Sequence, residues 1–245
     1  DSSSVSLYSV KLGHVVKSLR GHTDKVHAVA CQGDLIASGS KDRTIRLWSR
    51  RTGERTATLI GCDEAVHGLS LREGWLMSGE GGRAESGGGR VRLWELRTGR
   101  VHTVFTEHRG GVWSVALGDV MAVSASHDAT CRVWPTDGSE DSLAVLHHPS
   151  WVCSCAMDGG FGLVATGCAD TRVRLWSLRG NFACTRVIEH GGGGAGGTAT
   201  VFSVRLMRGG HVLLSGGQDG KIKLWALRGD LHSASEAGEG AGSAS

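Results

Sequence analysis

The chain has 245 residues, 40% of them hydrophobic and 21% charged, enough to bury a substantial core in one repeat domain or in two ordinary ones. A formal net charge of +3 is no excess of either sign and does not point to nucleic acid, an anionic membrane or a strongly acidic partner. No run of about twenty apolar residues is present, Asp1 to Tyr8 lacks the basic-then-apolar plan of a secretory leader, and seven thinly spread cysteines do not make a disulfide framework. The expectation is a protein of the cytosol or nucleus, with no membrane partner.

Thirty-nine glycines against two prolines suit many tight turns between short strands. One pattern recurs along the chain: a small-residue strand, an Asp, then a β-branched or basic run ending in an aliphatic residue and Trp. A degenerate copy opens the chain at Leu7-Tyr8. Five further copies end at Leu47-Trp48, Leu93-Trp94, Val133-Trp134, Leu175-Trp176 and Leu224-Trp225, at the spacing of roughly 40 to 45 residues that propeller blades show. Within the first complete copy, Val26 to Ala30, Leu35 to Gly39, Thr44 to Trp48 and Thr56 to Leu59 read as strands separated by Gly, Asp or charged turns. The strand Thr44-Ile45-Arg46-Leu47-Trp48 carries bulky groups on both faces, so both faces must be covered, as when sheets stack around an axis. Stability then comes from burial between neighbours. From residue 230 onward the Ser, Ala, Gly and Glu tail offers almost nothing to bury and is expected to be disordered, leaving 1–229 as the repeat domain.

These copies resemble the WD-repeat family, whose units run from Gly-His to Trp-Asp. Gly21-His22 opens the first unit, and Glu107-His108, His147-His148 and Glu189-His190 open later ones; none of the closing Trp residues is followed by Asp. The resemblance implies an all-β propeller of five complete repeats and one partial repeat, part of a ring of seven blades, on a chain that begins inside a third strand. It also implies a hydrogen-bonded tetrad of His, Ser or Thr, Asp and Trp in each unit. The matching sets are His22, Ser38, Asp42, Trp48; His108, Ser124, Asp128, Trp134; His148, Thr166, Asp170, Trp176; and His190, Ser215, Asp219, Trp225. The chemistry is self-consistent: the indole N–H needs an acceptor, the hydroxyl supplies it and donates to imidazole, and the imidazole donates to the carboxylate. In the second unit Cys62 stands where His belongs and Gly79 to Gly89 replaces the Asp turn. Only Ser78 and Trp94 remain, and that blade is expected to be the least rigid.

Repeated Ser, His and Asp could suggest a hydrolase, but an enzyme needs one such constellation in one cleft, and none of Ser38, Ser78, Ser124 or Ser215 has the Gly two residues before it that a nucleophile elbow requires. The reading is therefore not an enzyme. His147, His148, Cys153 and Cys155 do not have the spacing of a zinc finger, and His148 belongs to a tetrad, so no metal is assigned. Gly191 to Gly194 lacks the Lys-Ser/Thr pair and strand-to-helix context of a phosphate loop, and no cofactor is assigned. The Arg-Gly-Gly triplets at Arg109 and Arg208 fall in turns without interleaved aromatics, which argues against nucleic acid as a partner.

By the same resemblance, partners that are proteins or peptides dock on an upper rim built from the start of the first strand and the turn between the second and third strands. The rim residues are Lys25, His27, Lys41, His67, Trp113, His127, Trp151, Phe202 and Gln218. Trp113, Trp151 and Phe202 would be aromatic anchors if exposed, or inter-blade core if not, with exposure favoured for Trp151. Both insertions, Gly79 to Gly89 and Gly191 to Thr198, fall in loop classes of this rim. Short links at Cys31 to Asp34 and Leu117 to Val120 look like those of F-box/WD-repeat proteins, which present targets to a ubiquitin ligase. His27, His67, Trp113 and Cys153 stand where some of those receptors carry phosphate-binding arginines, which argues against a phosphopeptide reader. The alternative is a structural subunit of an RNA-processing or other multiprotein assembly.

Overall fold

A computed structural model describes residues 2–82, 88–191, 199–207 and 209–227. Much of both glycine-rich insertions, Arg208 and the tail from 230 lie outside the described residues. The described chain is all β, with turns between the strands and no helix. Strands β1 (Val5–Ser9) and β2 (His14–Leu19) pair as a two-stranded sheet. Three complete four-stranded sheets follow as β3 (Val26–Gln32) to β6 (Arg55–Leu59), β7 (Val66–Arg72) to β10 (Arg100–Phe105) and β11 (Val112–Leu117) to β14 (Ala144–His147). A fourth runs from β15 (Val152–Asp158) to β18 (Cys184–Glu189), and β19 (Val201–Met207), β20 (Val212–Gly217) and β21 (Ile222–Ala226) form a three-stranded sheet. Every sheet is a simple antiparallel meander, as short strands joined by tight turns require. The first strands of successive sheets, β3, β7, β11, β15 and β19, lie against one another in order, so the sheets are arrayed like blades around an axis.

The cores lie between blades rather than within them. Ala37, Ile45 and Leu47 of the first complete blade close on Val66, Leu76 and Trp94 of the second. Met77, Val91 and Leu93 of the second close on Val112, Ala122 and Trp134 of the third. The same arrangement puts Val123, Cys131 and Val133 against Val152, Val164 and Trp176, and then Ala165, Val173 and Leu175 against Val201, Val204 and Leu213. Glycine in the second strand admits the next blade's valine: a Cβ on Gly39 would stand 2.5 Å from Val66 Cγ1, and one on Gly79 would stand 2.7 Å from Val112 Cγ1. Polar stitches reinforce these seams, since Ser114 Oγ accepts from the Cys155 N–H at 3.2 Å and Ser154 Oγ from the Val204 N–H at 3.1 Å.

One irregularity recurs at the same place in every complete first strand. The pairing register slips between Val26 and Ala28, Val66 and Gly68, Val112 and Ser114, Val152 and Ser154, and Val201 and Ser203. A β-bulge leaves one residue without a cross-strand partner and re-aims its side chain. The residues so released are His27, His67, Trp113, Cys153 and Phe202.

The packing predicts a contrast between equivalent glycines. Gly39→Ala crowds a stiff valine and should cost about 1–3 kcal/mol, whereas Gly216→Ala, where nothing lies within 4 Å, should be neutral or slightly stabilising. Urea denaturation of the two variants checks this; equal losses would mean that the seam is not what sets the glycine.

Candidate functional site

Two of the four tetrad sets close as a full chain of donors and acceptors. In the first, Trp48 Nε1–H donates to Ser38 Oγ at 2.8 Å, the Ser38 hydroxyl donates to His22 Nε2 at 2.8 Å, and His22 Nδ1–H donates to Asp42 Oδ2 at 2.8 Å. The third blade repeats this through Trp134, Ser124, His108 and Asp128, each step 2.7 Å. The aspartate is set locally: its other oxygen accepts from the Thr44 or Thr130 hydroxyl at 2.6 Å and from the same residue's backbone N–H, an Asx turn. Burial opposes ionisation of Asp42 and Asp128. The hydrogen bonds that Asp42 accepts from Thr44, Thr23 and His22, and Asp128 from His108, Thr130 and Arg109, outweigh it and hold both carboxyls well below the usual range.

The other two sets depart from the expected chain. Asp170 does not reach His148; its carboxylate is taken by Arg174 at 2.5 and 3.1 Å. Arg172 stands where Thr44 and Thr130 stand in their blades, so the hydroxyl that orients the carboxylate is missing. His148 Nδ1–H donates instead to the Leu146 carbonyl at 2.9 Å, while Nε2 keeps Thr166 at 2.8 Å and Trp176 keeps Thr166 at 3.0 Å. In the last blade the imidazole is turned over: His190 Nδ1 meets Ser215 Oγ at 2.7 Å, Nε2 meets Asp219 at 3.3 Å, and Trp225 still donates to Ser215 at 2.8 Å. Gly217 makes room for that orientation, since a Cβ there would lie 2.5 Å from His190 Nε2.

The second blade has a replacement network that its sequence did not announce. Trp94 donates to Ser78 at 2.8 Å. Glu80 sits in the register position of Ser40 and Ser126, only 1% exposed, and forms an ion pair with Arg92. Arg92 also reaches Asp63 at 2.6 Å, and the Asp63 N–H donates to Glu80 Oε2 at 2.9 Å. Cys62 lies beside this pair, its thiol pushed up to about 11 by burial. In this blade a buried charge network stands in place of the tetrad. An acidic residue where its neighbours carry serine was the available signal.

On the rim, five of the nine expected residues form one structure. His27 and His67 have ring centroids 4.6 Å apart, His67 stacks on Trp113 at 4.6 Å, Trp113 on His127 at 4.5 Å and His127 on Trp151 at 4.5 Å. The ladder crosses four blades. Its members come from the bulges (His27, His67, Trp113), from the turn after β12 (Met121–Ser126) (His127) and from the residue before β15 (Trp151). Trp113 is 40% exposed, Trp151 54% and Phe202 56%, so none is inter-blade core. Phe202 stands outside the ladder. Lys25, Lys41 and Gln218 are exposed, with the Lys41 ammonium 3.8 Å from Asp24. His67 packs over Gly81, where a Cβ would come 2.9 Å from Nε2. Burial, with the neighbouring His27 and His127, lowers His67 to about 4, and burial lowers His127 too, so both rings are neutral at physiological pH and can stack without repulsion. Among the described residues no group of three or more His, Cys, Asp or Glu could hold a metal ion, and no helix is long and apolar enough to cross a membrane.

The family model described as WD domain, G-beta repeat matches residues 13–49, 99–135, 140–177 and 184–226, passing over the unit whose tetrad is replaced. Autophagy-related protein 16 of Arabidopsis thaliana is 29% identical over 74% of this chain and 36% of its own length. WD repeat and SOCS box-containing protein 1 of Homo sapiens is 31% identical over 37% of this chain and 22% of its own. The chain thus spans well under half the length of the curated relatives it matches. Among solved structures, a chain of the Mitotic Checkpoint Complex superposes with a TM-score of 0.79 at 18% identity, covering 92% of this chain and 69% of that one, a likeness of fold.

Removing either Glu80 or Arg92 strands its partner and should cost about 3–5 kcal/mol, while the double replacement Glu80→Leu with Arg92→Met should cost much less than the sum; a double-mutant cycle in urea reads this, and additivity would contradict it. An unfolded imidazole takes its proton near 6.5, whereas folded His67 and His148 hold out to about 4, His148 mainly through burial. The unfolded chain therefore binds more protons in that window, and stability should fall as pH drops from about 6.5 to about 4, then further as Asp42 and Asp128 protonate. Calorimetry across this range should show a smaller fall for His148→Gln than for wild type; an unchanged fall would remove His148 from the account.

Proposed function

The chain belongs to the WD-repeat family, and we propose that it is a protein-interaction module whose working surface is the rim that carries the stacked ladder. The observation that supports this most is the ladder itself. Large aromatic side chains are normally buried, yet here two tryptophans and a phenylalanine stay in solvent on one face, bordered by Lys and His. That is the composition of a binding centre with a polar rim. Rings held by mutual stacking lose little conformational freedom when a partner arrives, so the surface is preorganised. Nothing in the tetrads asks for catalysis: each hydroxyl is engaged with an indole and an imidazole and is buried.

Within that reading, the chain is a recognition module of a ubiquitin ligase complex. Support comes from its F-box/WD-repeat-like short links and from the relative that joins WD repeats to a SOCS box. The second reading, a structural subunit of a larger assembly, draws on the neighbour from the Mitotic Checkpoint Complex. The ring to which these blades belong is proposed to have seven. Seven unpaired cysteines suit a reducing compartment, cytosol or nucleus.

Affinity capture from cell extract with wild type, Trp113→Ala and Trp151→Ala, each confirmed folded, tests the rim. Specific partners should be lost with both variants, by tenfold or more if these are hot spots worth at least about 2 kcal/mol. An unchanged partner set would move the working surface elsewhere on the molecule.

A further inference from the structure

The ladder lies where the first strands begin; where they end, on the opposite face, a cleft opens at the seam between the second and third blades. Met77, Val91 and Leu93 of the second blade and Val112, Val115 and Ala122 of the third fill that seam, and Trp75 and Leu117 pack against this core. They do not close it. Leu93 is only 2% exposed, yet with Trp75 and Leu117 it lines about 540 Å³ of empty space that opens to solvent. Ligand clefts occupy roughly 300 to 1,000 Å³. Every residue around this one is described, and all come from these two blades.

The walls are fixed before anything enters. On the second blade, Glu73 and Gly74 have φ of +45° and +84°, the backbone of a two-residue hairpin turn, and the Glu73 N–H donates to Gln32 Oε1 at 2.9 Å. On the third, the Gly118 N–H donates to the Met121 carbonyl at 2.9 Å, and the Thr136 hydroxyl donates to the Asp119 carbonyl at 3.1 Å. An ion pair between Arg72 and Asp119 joins the two walls. The charged lining is then two carboxylates against one guanidinium. Glu73 is exposed and has no ion-pair partner among the described residues, so it is the unanswered charge at the mouth. The floor is apolar and the mouth carries net negative charge. A cation driven to that floor would lose its water without gaining a partner, whereas an apolar group gains by entering. An acidic group at the mouth would meet Glu73 and Asp119 with like charge.

We propose that this cleft is a second docking site, which takes an apolar side chain of a protein partner flanked in the partner's chain by Lys or Arg. The apolar group fills the space beside Trp75, Leu93 and Leu117, and the flanking cation meets Glu73. The inference goes beyond the rim reading and does not depend on it.

The test uses the full chain with isotope-labelled tryptophan and leucine, titrated with end-blocked tripeptides and followed by NMR. The peptide Lys-Leu-Lys should shift the Trp75 indole and the Leu93 and Leu117 methyl signals saturably. Lys-Gly-Lys, which has no side chain to bury, should bind about tenfold more weakly or worse. Glu-Leu-Glu should bind roughly two- to fivefold more weakly, the factor that an exposed ion pair supplies. Glu73→Gln, at an exposed turn, should bring the basic and acidic peptides close to parity, and Thr136→Trp, which fills the cleft from its wall, should abolish the response. No saturable shift at these residues, equal binding of Lys-Gly-Lys, or no preference for the basic flank would each overturn the proposal. So would a preference indifferent to Glu73→Gln, or shifts confined to Trp113 and Trp151, which would assign the peptide to the rim.

Discussion

An indole N–H held by a buried hydroxyl is the interaction on which the rest of the structure depends. Trp48 on Ser38, Trp94 on Ser78, Trp134 on Ser124, Trp176 on Thr166 and Trp225 on Ser215 all form it, at 2.7 to 3.0 Å. It pins the third strand of each blade to the second, and the rings of Trp94, Trp134 and Trp176 are in turn part of the core shared with the preceding blade. What lies beyond the hydroxyl is free to vary. Two blades pass the chain to His and Asp, one ends it on a backbone carbonyl, one inverts the imidazole, and one replaces it with a buried Glu–Arg pair. Each solution leaves the indole N–H with its hydroxyl acceptor.

The first strands carry a bulge without losing their pairing elsewhere. The bulge takes a residue out of the sheet and turns it to the rim, and it does so at the same register in all five complete first strands. Chemistry at the rim is then decided by single residues that the core does not constrain. Imidazole, imidazole, indole, thiol and phenyl follow one another around the axis, and the ladder arises from that sequence.

Much of the fold was legible in the sequence, because strand length, the small residues of the second strand and the closing Trp recur with a fixed period. The strand ends move by only a residue or two, as in Val26–Gln32 against the expected Val26 to Ala30. The stacking of the aromatic ladder was not legible: its members come from residues 27 to 151, and nothing local in the sequence says that His127 will lie between two indoles. The departures have local causes that are visible only in three dimensions. Arg172 in place of threonine frees Asp170 for Arg174. Glycine at 217 lets His190 turn over. Glu80 looked like part of an irregular turn until its register placed it opposite Val66, inside the blade.

The ladder must be a formed structure in solution, since a row of rings already stacked in the free protein is what distinguishes this surface from an ordinary loop surface. The proton chemical shifts of the His127 imidazole report it most directly. Lying between the Trp113 and Trp151 indoles, its ring protons should be shifted strongly upfield by ring currents in the free protein, and should return most of the way toward unstructured values in Trp151→Ala. Imidazole shifts already at unstructured values in wild type would show that the rings do not stack and would contradict the account.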